Sequence, residues 1–127
     1  MQLLDTHLLL WAAFEPARLS PKATAALQSR DISLAFSQAS LWEVAIKTSL
    51  GRAGFAVDPG LLHRSLLAEG FVELPITAPH LVRVAGLPWV HRDPFDRLLV
   101  AQAIEDKLTL LTVDVTLKRY GRFVKLV

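Results

Sequence analysis

The chain alternates between two hydrophobic rhythms. Short apolar runs of strand length are separated by longer stretches whose apolar positions recur three or four residues apart. Gln2-Leu3-Leu4-Asp5 predicts a first strand, and Thr6 to Phe14 a helix that ends before Pro16. Ser20-Pro21 joins a capping residue to a proline in the first helical turn, which predicts a helix through about Ser29. Ile32 to Phe36 reads as the second strand, after which Ser37 caps a helix that runs to about Leu50 and stops at Gly51. Asp58-Pro59 repeats the cap-plus-proline signal and opens a helix to about Glu69. Phe71 to Leu74 is a short strand ended by Pro75, and Thr77 caps a helix to about Ala85 that Gly86-Leu87-Pro88 breaks. Asp93-Pro94 starts the longest helix, to about Lys107. Leu108 to Thr112 follows as a buried strand, Asp114 to Arg119 as a short helix and Phe123 to Val127 as a last strand. Strands alternating with helices predict an α/β fold with a mostly parallel central sheet of four or five strands.

Composition narrows the chemistry. With 127 residues, 52% of them hydrophobic, the chain has the size of one domain, 1–127, and enough apolar side chains for a packed core. It contains no cysteine, which excludes disulfides, thiolate zinc sites, iron–sulfur clusters and cysteine nucleophiles. The apolar run from Leu8 to Phe14 is far shorter than the roughly 20 residues of a membrane span. The N-terminus lacks a basic start, and Asp5 and His7 interrupt its apolar stretch, so no secretory signal is expected and the expected location is cytoplasmic.

Four acids stand out by position. Asp5 and Asp114 each follow an apolar strand, and in parallel sheets the carboxyl ends of strands form the ligand-binding edge. Either residue also suits a plain helix cap. In Asp93-Pro94-Phe95-Asp96, Asp93 has the position of a cap, whereas Asp96 shares a face with the apolar Leu99, Val100 and Ala103. Glu43 lies one turn into its helix beside the small Ala39 and Ser40, and the plain alternative is an exposed i,i+4 pair with Lys47. Taken together, Asp5, Glu43, Asp96 and Asp114 can converge on one edge. An all-oxygen cluster calls for hard cations, Mg²⁺ or Mn²⁺, one or two of them. With these four of the 12 acids set aside, the 14 basic residues outnumber the remaining acids, which suits a polyanionic substrate.

The segments carrying these acids resemble those of a known family. Leu4-Asp5-Thr6-His7-Leu8-Leu9-Leu10-Trp11, Ala39-Ser40-Leu41-Trp42-Glu43-Val44-Ala45-Ile46-Lys47, His91 through Ala103 and Thr112-Val113-Asp114 are similar, in order and spacing, to PIN-domain ribonucleases of the VapC toxin type. The resemblance spans essentially the whole chain. It implies a three-layer α/β/α fold and a Mg²⁺- or Mn²⁺-dependent endoribonuclease, the toxin of a toxin–antitoxin pair, inhibited by a VapB-like antitoxin. The family's acidic quartet falls on Asp5, Glu43, Asp96 and Asp114, with Asp93 an outer candidate. Thr6, Ser40 and Thr112 match hydroxyl positions that orient carboxylates. Val113 departs from the pattern, which favours a polar or basic residue between threonine and aspartate.

Other residues carry weaker signals. His7 reads as partly buried or at the substrate edge, His91 and Arg92 as loop or phosphate contacts, and His63 and His80 as surface. Lys118, Arg119, Arg122 and Lys125 make the C-terminus basic, suited to solvent or to backbone phosphates. The helices are apolar enough for one face to serve a homodimer or the antitoxin. Two other functions fit acids at strand ends: a receiver-like phosphoacceptor domain, and a non-catalytic binding module. The first wants paired acids after the first strand and a lysine after the last buried one. Here a lone Asp5 precedes Thr6, and Asp114 stands near the place of that lysine.

Overall fold

The computed structural model describes residues 1–51 and 55–127. Among these residues five strands, β1 (Gln2–Leu4), β2 (Leu34–Ser37), β3 (Val72–Leu74), β4 (Thr109–Thr112) and β5 (Val124–Leu126), form one sheet in the order β3-β2-β1-β4-β5. Every neighbouring pair is parallel, with Leu3 opposite both Ala35 and Leu110. Among the described residues there are six α-helices: α1 (Thr6–Phe14), α2 (Pro21–Gln28), α3 (Gln38–Ser49), α4 (Pro59–Ala68), α5 (Ala78–Ala85) and α6 (Pro94–Asp106).

Adjacent strand residues point to opposite faces, and both faces are covered. Leu3, Ala35 and Leu110 pack with the α6 run Leu98 to Ala101, Val84 of α5 and Leu117. Leu4, Phe36 and Leu111 pack instead with Leu8 and Leu9 of α1, Ala23 of α2, Val44 of α3, and Leu62 and Leu66 of α4. Two helical layers therefore sandwich the sheet, as the α/β/α expectation requires. The chain steps outward from β1 through β2 to β3, then returns to lay β4 against the other side of β1. That reversal leaves a crevice between the carboxyl ends of β1 and β4, where doubly wound folds bind ligands. The order also differs from the 2-1-3-4-5 arrangement of receiver domains, which removes the phosphoacceptor alternative.

The predicted caps form as expected. Ser20, Ser37, Asp58 and Asp93 each accept backbone amides at the start of their helices. Three local readings shift. The second strand begins at Leu34 rather than Ile32, whose side chain is exposed before pairing starts. The helix expected from Asp114 is only a 3-10 turn over Leu117–Tyr120, because Asp114 and Thr116 form a side-chain turn first. Pro16–Arg18 forms a 3-10 turn that the pattern did not predict.

Ser37 joins β2 directly to α3. Its hydroxyl accepts the Ala39 amide and donates to Gln102 Oε1, and the Gln102 amide reaches the Pro75 carbonyl. Ser37, Ala39 and Gln102 are fully buried, so their hydrogen bonds lock α3 and α6 to the β3 end of the sheet. Ser37→Ala removes a cap and orphans a buried amide oxygen. It is expected to cost about 2–3 kcal/mol in urea unfolding, with an unchanged m-value.

Candidate metal centre

Asp5 extends β1 and caps α1. The Leu8 amide donates to its Oδ1 at 2.9 Å and the Thr112 hydroxyl donates to its Oδ2. Thr112 in turn accepts the Asp114 amide at 2.9 Å, so one hydroxyl at the end of β4 fixes acids on both central strands. Asp96 enters from the first turn of α6, behind Asp93, whose Oδ1 accepts the Phe95 and Asp96 amides. Glu43 descends from α3. It does form the i,i+4 contact with Lys47, at 2.6 Å from Oε2, but on a buried face rather than an exposed one. Its other oxygen, Oε1, is buried without a hydrogen-bond partner.

These acids act on one another. Burial pushes the Asp96 carboxyl up to about 7, and the charges of Asp93, Asp5 and Glu43 push the same way. Asp5 is also raised, chiefly by burial, with the charge of Asp114 adding and the Thr112 and Leu8 hydrogen bonds opposing. Burial raises Asp114 as well, but hydrogen bonds from the Thr116 amide and His91 outweigh it and hold this carboxyl below its ordinary value. A pocket that forces protons onto carboxylates is short of positive charge. Oxygen donors of this kind, with the orphaned Glu43 Oε1 among them, fit a hard divalent cation.

The expected residues are thus brought together, with qualifications. Thr112 holds a carboxylate as anticipated, whereas Thr6 and Ser40 hydrogen-bond each other at 2.9 Å and pin α1 to α3. Asp93 caps α6. An all-oxygen cluster is expected to hold neither a basic side chain nor a histidine, yet Lys47 contacts Glu43 and His91 stands between acids. His91 Nε2 lies 3.0 Å from Asp114 Oδ2 and 3.5 Å from Asp96 Oδ2. His91, Asp96 and Asp114 offer donor atoms within 4.8 Å of one another. A histidine two residues before a cap-plus-proline signal was the only hint in the sequence. His80, expected at the surface, is buried: it accepts the Thr77 amide and donates to Asp106. His7 is exposed beside Trp11, and His63 pairs with Glu73.

Arg97 was not anticipated at all. It is 3% exposed, and none of the ion pairs among the described residues involves it. Its guanidinium instead donates to the Val84, Leu87 and Pro88 carbonyls and to the Tyr120 hydroxyl. Arg97→Met strands these acceptors and is expected to destabilise by about 3 kcal/mol or more in urea unfolding.

A parallel sheet that gathers acids at its switch point defines a class, and comparison with known proteins supplies the family. The PIN domain family model matches residues 3–123, and the chain belongs to that family. It is 35% identical over 119 residues to Ribonuclease VapC22 of Mycobacterium tuberculosis, covering 93% of this chain and 90% of the relative. Similar solved structures include VapBC2 from Rickettsia felis bound to a DNA fragment from its promoter, with TM-score 0.71 and 16% identity over 99% of this chain and 96% of that one. A toxin–antitoxin complex from Klebsiella pneumoniae superposes with TM-score 0.67 and 19% identity, over 98% of this chain and 96% of that one. FitAcB from Neisseria gonorrhoeae gives TM-score 0.61 and 23% identity, over 99% and 96%. No helix among the described residues is long and apolar enough to cross a membrane.

Proposed function

We propose that this protein is a metal-dependent endoribonuclease, the toxin of a VapBC-type pair, with Asp5, Glu43, Asp96 and Asp114 holding one or two Mg²⁺ or Mn²⁺ ions. The observation that carries the reading is Asp96: its carboxyl is driven up to about 7 by burial and neighbouring acids, in a cluster with an orphaned Glu43 oxygen. Purely structural acids would be arranged to avoid both costs, which also argues against a plain binding module. A divalent ion bound there supplies activated water and charge neutralisation for phosphodiester hydrolysis. The protein's part is orientation. Thr112 and the Leu8 amide fix Asp5, and Thr116 and His91 fix Asp114.

RNA as the substrate is supported by the relationship to Ribonuclease VapC22 and by the excess of basic side chains outside the cluster. Lys118 and Arg119 on the 3-10 turn, Arg122 in the loop after it and Lys125 on β5 all follow Asp114, where phosphates can be met. The similarity to VapBC2 and to the Klebsiella pneumoniae toxin–antitoxin complex supports a VapB-like partner. A groove of about 760 Å³ beside Glu43, walled by Leu10, Trp11, Phe14 and Phe55, offers an apolar bed for a segment of it. A homodimer and a cytoplasmic location complete the proposal, on one domain spanning 1–127.

The test is direct. Purified protein is incubated with single-stranded RNA in EDTA, in Mg²⁺ and in Mn²⁺. Cleavage only with metal, suppressed by the product of an adjoining antitoxin gene, is the expected result; cleavage undiminished in EDTA sinks the metal assignment.

A further inference from the structure

His91 occupies the middle of the acid cluster, and its ring is held in one orientation. The Asp93 amide donates to Nδ1 at 3.0 Å, so Nδ1 presents a lone pair and the ring proton sits on Nε2. That nitrogen faces Asp114 Oδ2 at 3.0 Å and Asp96 Oδ2 at 3.5 Å. A ring nitrogen that carries a proton has no lone pair left for a cation. The grouping of His91, Asp96 and Asp114 has the outward form of a three-ligand metal site, yet in this tautomer the Nε2 that faces the acids can only donate.

The loop bearing His91 is braced from behind. Arg97 Nη1 lies 2.9 Å from the Pro88 carbonyl, 3.2 Å from the Tyr120 hydroxyl and 3.5 Å from the carbonyl of His91 itself. Nη2 reaches the Val84 and Leu87 carbonyls at 3.1 and 3.4 Å, and the guanidinium sits 3.9 Å from the centre of the Trp89 ring. A buried guanidinium without a carboxylate is costly. Its rigid fork is suited to tying several backbone segments together. Here it ties the end of α5, the 87–91 loop and Tyr120 to the helix that carries Asp96.

We propose that His91 is a positioning residue of the acid cluster, with Arg97 bracing its loop: the Nε2–H group holds Asp114 and Asp96 in register for the cation. The inference rests on the metal-dependent reading above. Asp114 has more need of such a tether than Asp5, because it lies in a turn beyond β4 with a side chain 36% exposed and one other hydrogen bond, from the Thr116 amide, whereas Asp5 is 3% exposed and already doubly hydrogen-bonded. Carboxylates that bind metal depend on such outer hydrogen bonds, and losing one typically weakens metal binding about 10- to 100-fold.

The experiment measures Mn²⁺ binding by calorimetry at pH 8 for the full chain, His91→Ala and His91→Gln. Glutamine retains an N–H donor at about the reach of Nε2. Long-range ¹H–¹⁵N NMR of the metal-free protein reads the ring tautomer, and Mn²⁺ EPR reads any coordinated nitrogen. Expected are the Nε2–H tautomer, about 10- to 100-fold weaker Mn²⁺ binding in His91→Ala, recovery to within about threefold in His91→Gln, and no nitrogen coupling. An Nδ1–H tautomer, unchanged or tighter binding in His91→Ala, failure of His91→Gln to recover it, or a nitrogen coupling overturns the proposal. Wild-type protein that binds no Mn²⁺ overturns the metal reading and this inference together. Intact wild-type binding with an indifferent His91→Ala overturns this inference alone.

Discussion

Asp96→Asn is expected to lose RNA cleavage by about 10³-fold or more, near 4 kcal/mol of activation free energy, while making the metal-free protein more stable. The two effects share one cause. Asp96 is buried and surrounded by the charges of Asp93, Asp5 and Glu43, so ionising it in the folded state is unfavourable. Asparagine keeps the shape, removes the charge and removes a metal-binding oxygen's negative charge with it. In the wild-type protein without metal, the folded carboxyl titrates at about 7 against 3.8 in its ordinary state. The native state therefore holds the proton more tightly, and the stability this supplies is complete below about pH 4 and lost as pH rises through 7. The stability gap between Asp96→Asn and wild type should open across that window and stay constant above it. Its upper bound is about 4 kcal/mol from the rise to about 7. Urea unfolding at pH 4, 6 and 8 in EDTA measures it. A variant that is less stable than wild type at pH 8, or that cleaves RNA at a wild-type rate with Mg²⁺, removes Asp96 from the proposed centre.

Metal should invert the pH dependence. In EDTA the raised Asp96 and Asp5 carboxyls make the protein lose stability between about pH 4 and 7. In saturating Mg²⁺ or Mn²⁺ the ion displaces those protons, so affinity and the stability it confers rise over the same interval. At an ion concentration 100 times the dissociation constant, linkage gives about 2.7 kcal/mol, roughly ten degrees of melting temperature for a chain of this size. Asp114, held low, is already ionised across most of the window and adds little to the slope. Melting curves from pH 5 to 8 with and without Mn²⁺ should therefore diverge as pH increases. Parallel curves would mean that the cluster does not bind the ion.

Much of this architecture was readable from the chain because local signals agreed with the global one. Cap-plus-proline pairs at Ser20, Asp58 and Asp93 set three helix starts, and the paired leucines at Leu3-Leu4 and Leu110-Leu111 announced strands buried on both faces. The acids were legible because strand ends in a parallel sheet share an edge. What stayed hidden depends on contacts distant in sequence. The Thr112 hydroxyl meets Asp5 across the β1–β4 junction, and Gln102 meets Ser37 across the layers. His80 was misplaced because its partner, Asp106, lies on another helix. Arg97 reads as an ordinary helix-surface cation until its loop closes over it. Thr6 and Ser40 were assigned the right neighbourhood but the wrong partner, since each finds the other's hydroxyl before any carboxylate.

The placement of β1 at the centre of the sheet bears on how such a protein is made safely. Asp5 leaves the ribosome 107 residues before Thr112, whose hydroxyl meets it. Until β4 docks, β1 has one open flank and Asp114 is missing from the four proposed cation ligands. Translation thus acts as a timer: a nascent polypeptide cannot assemble the full acid cluster beside the very messages being read until β4 and Asp114 have emerged.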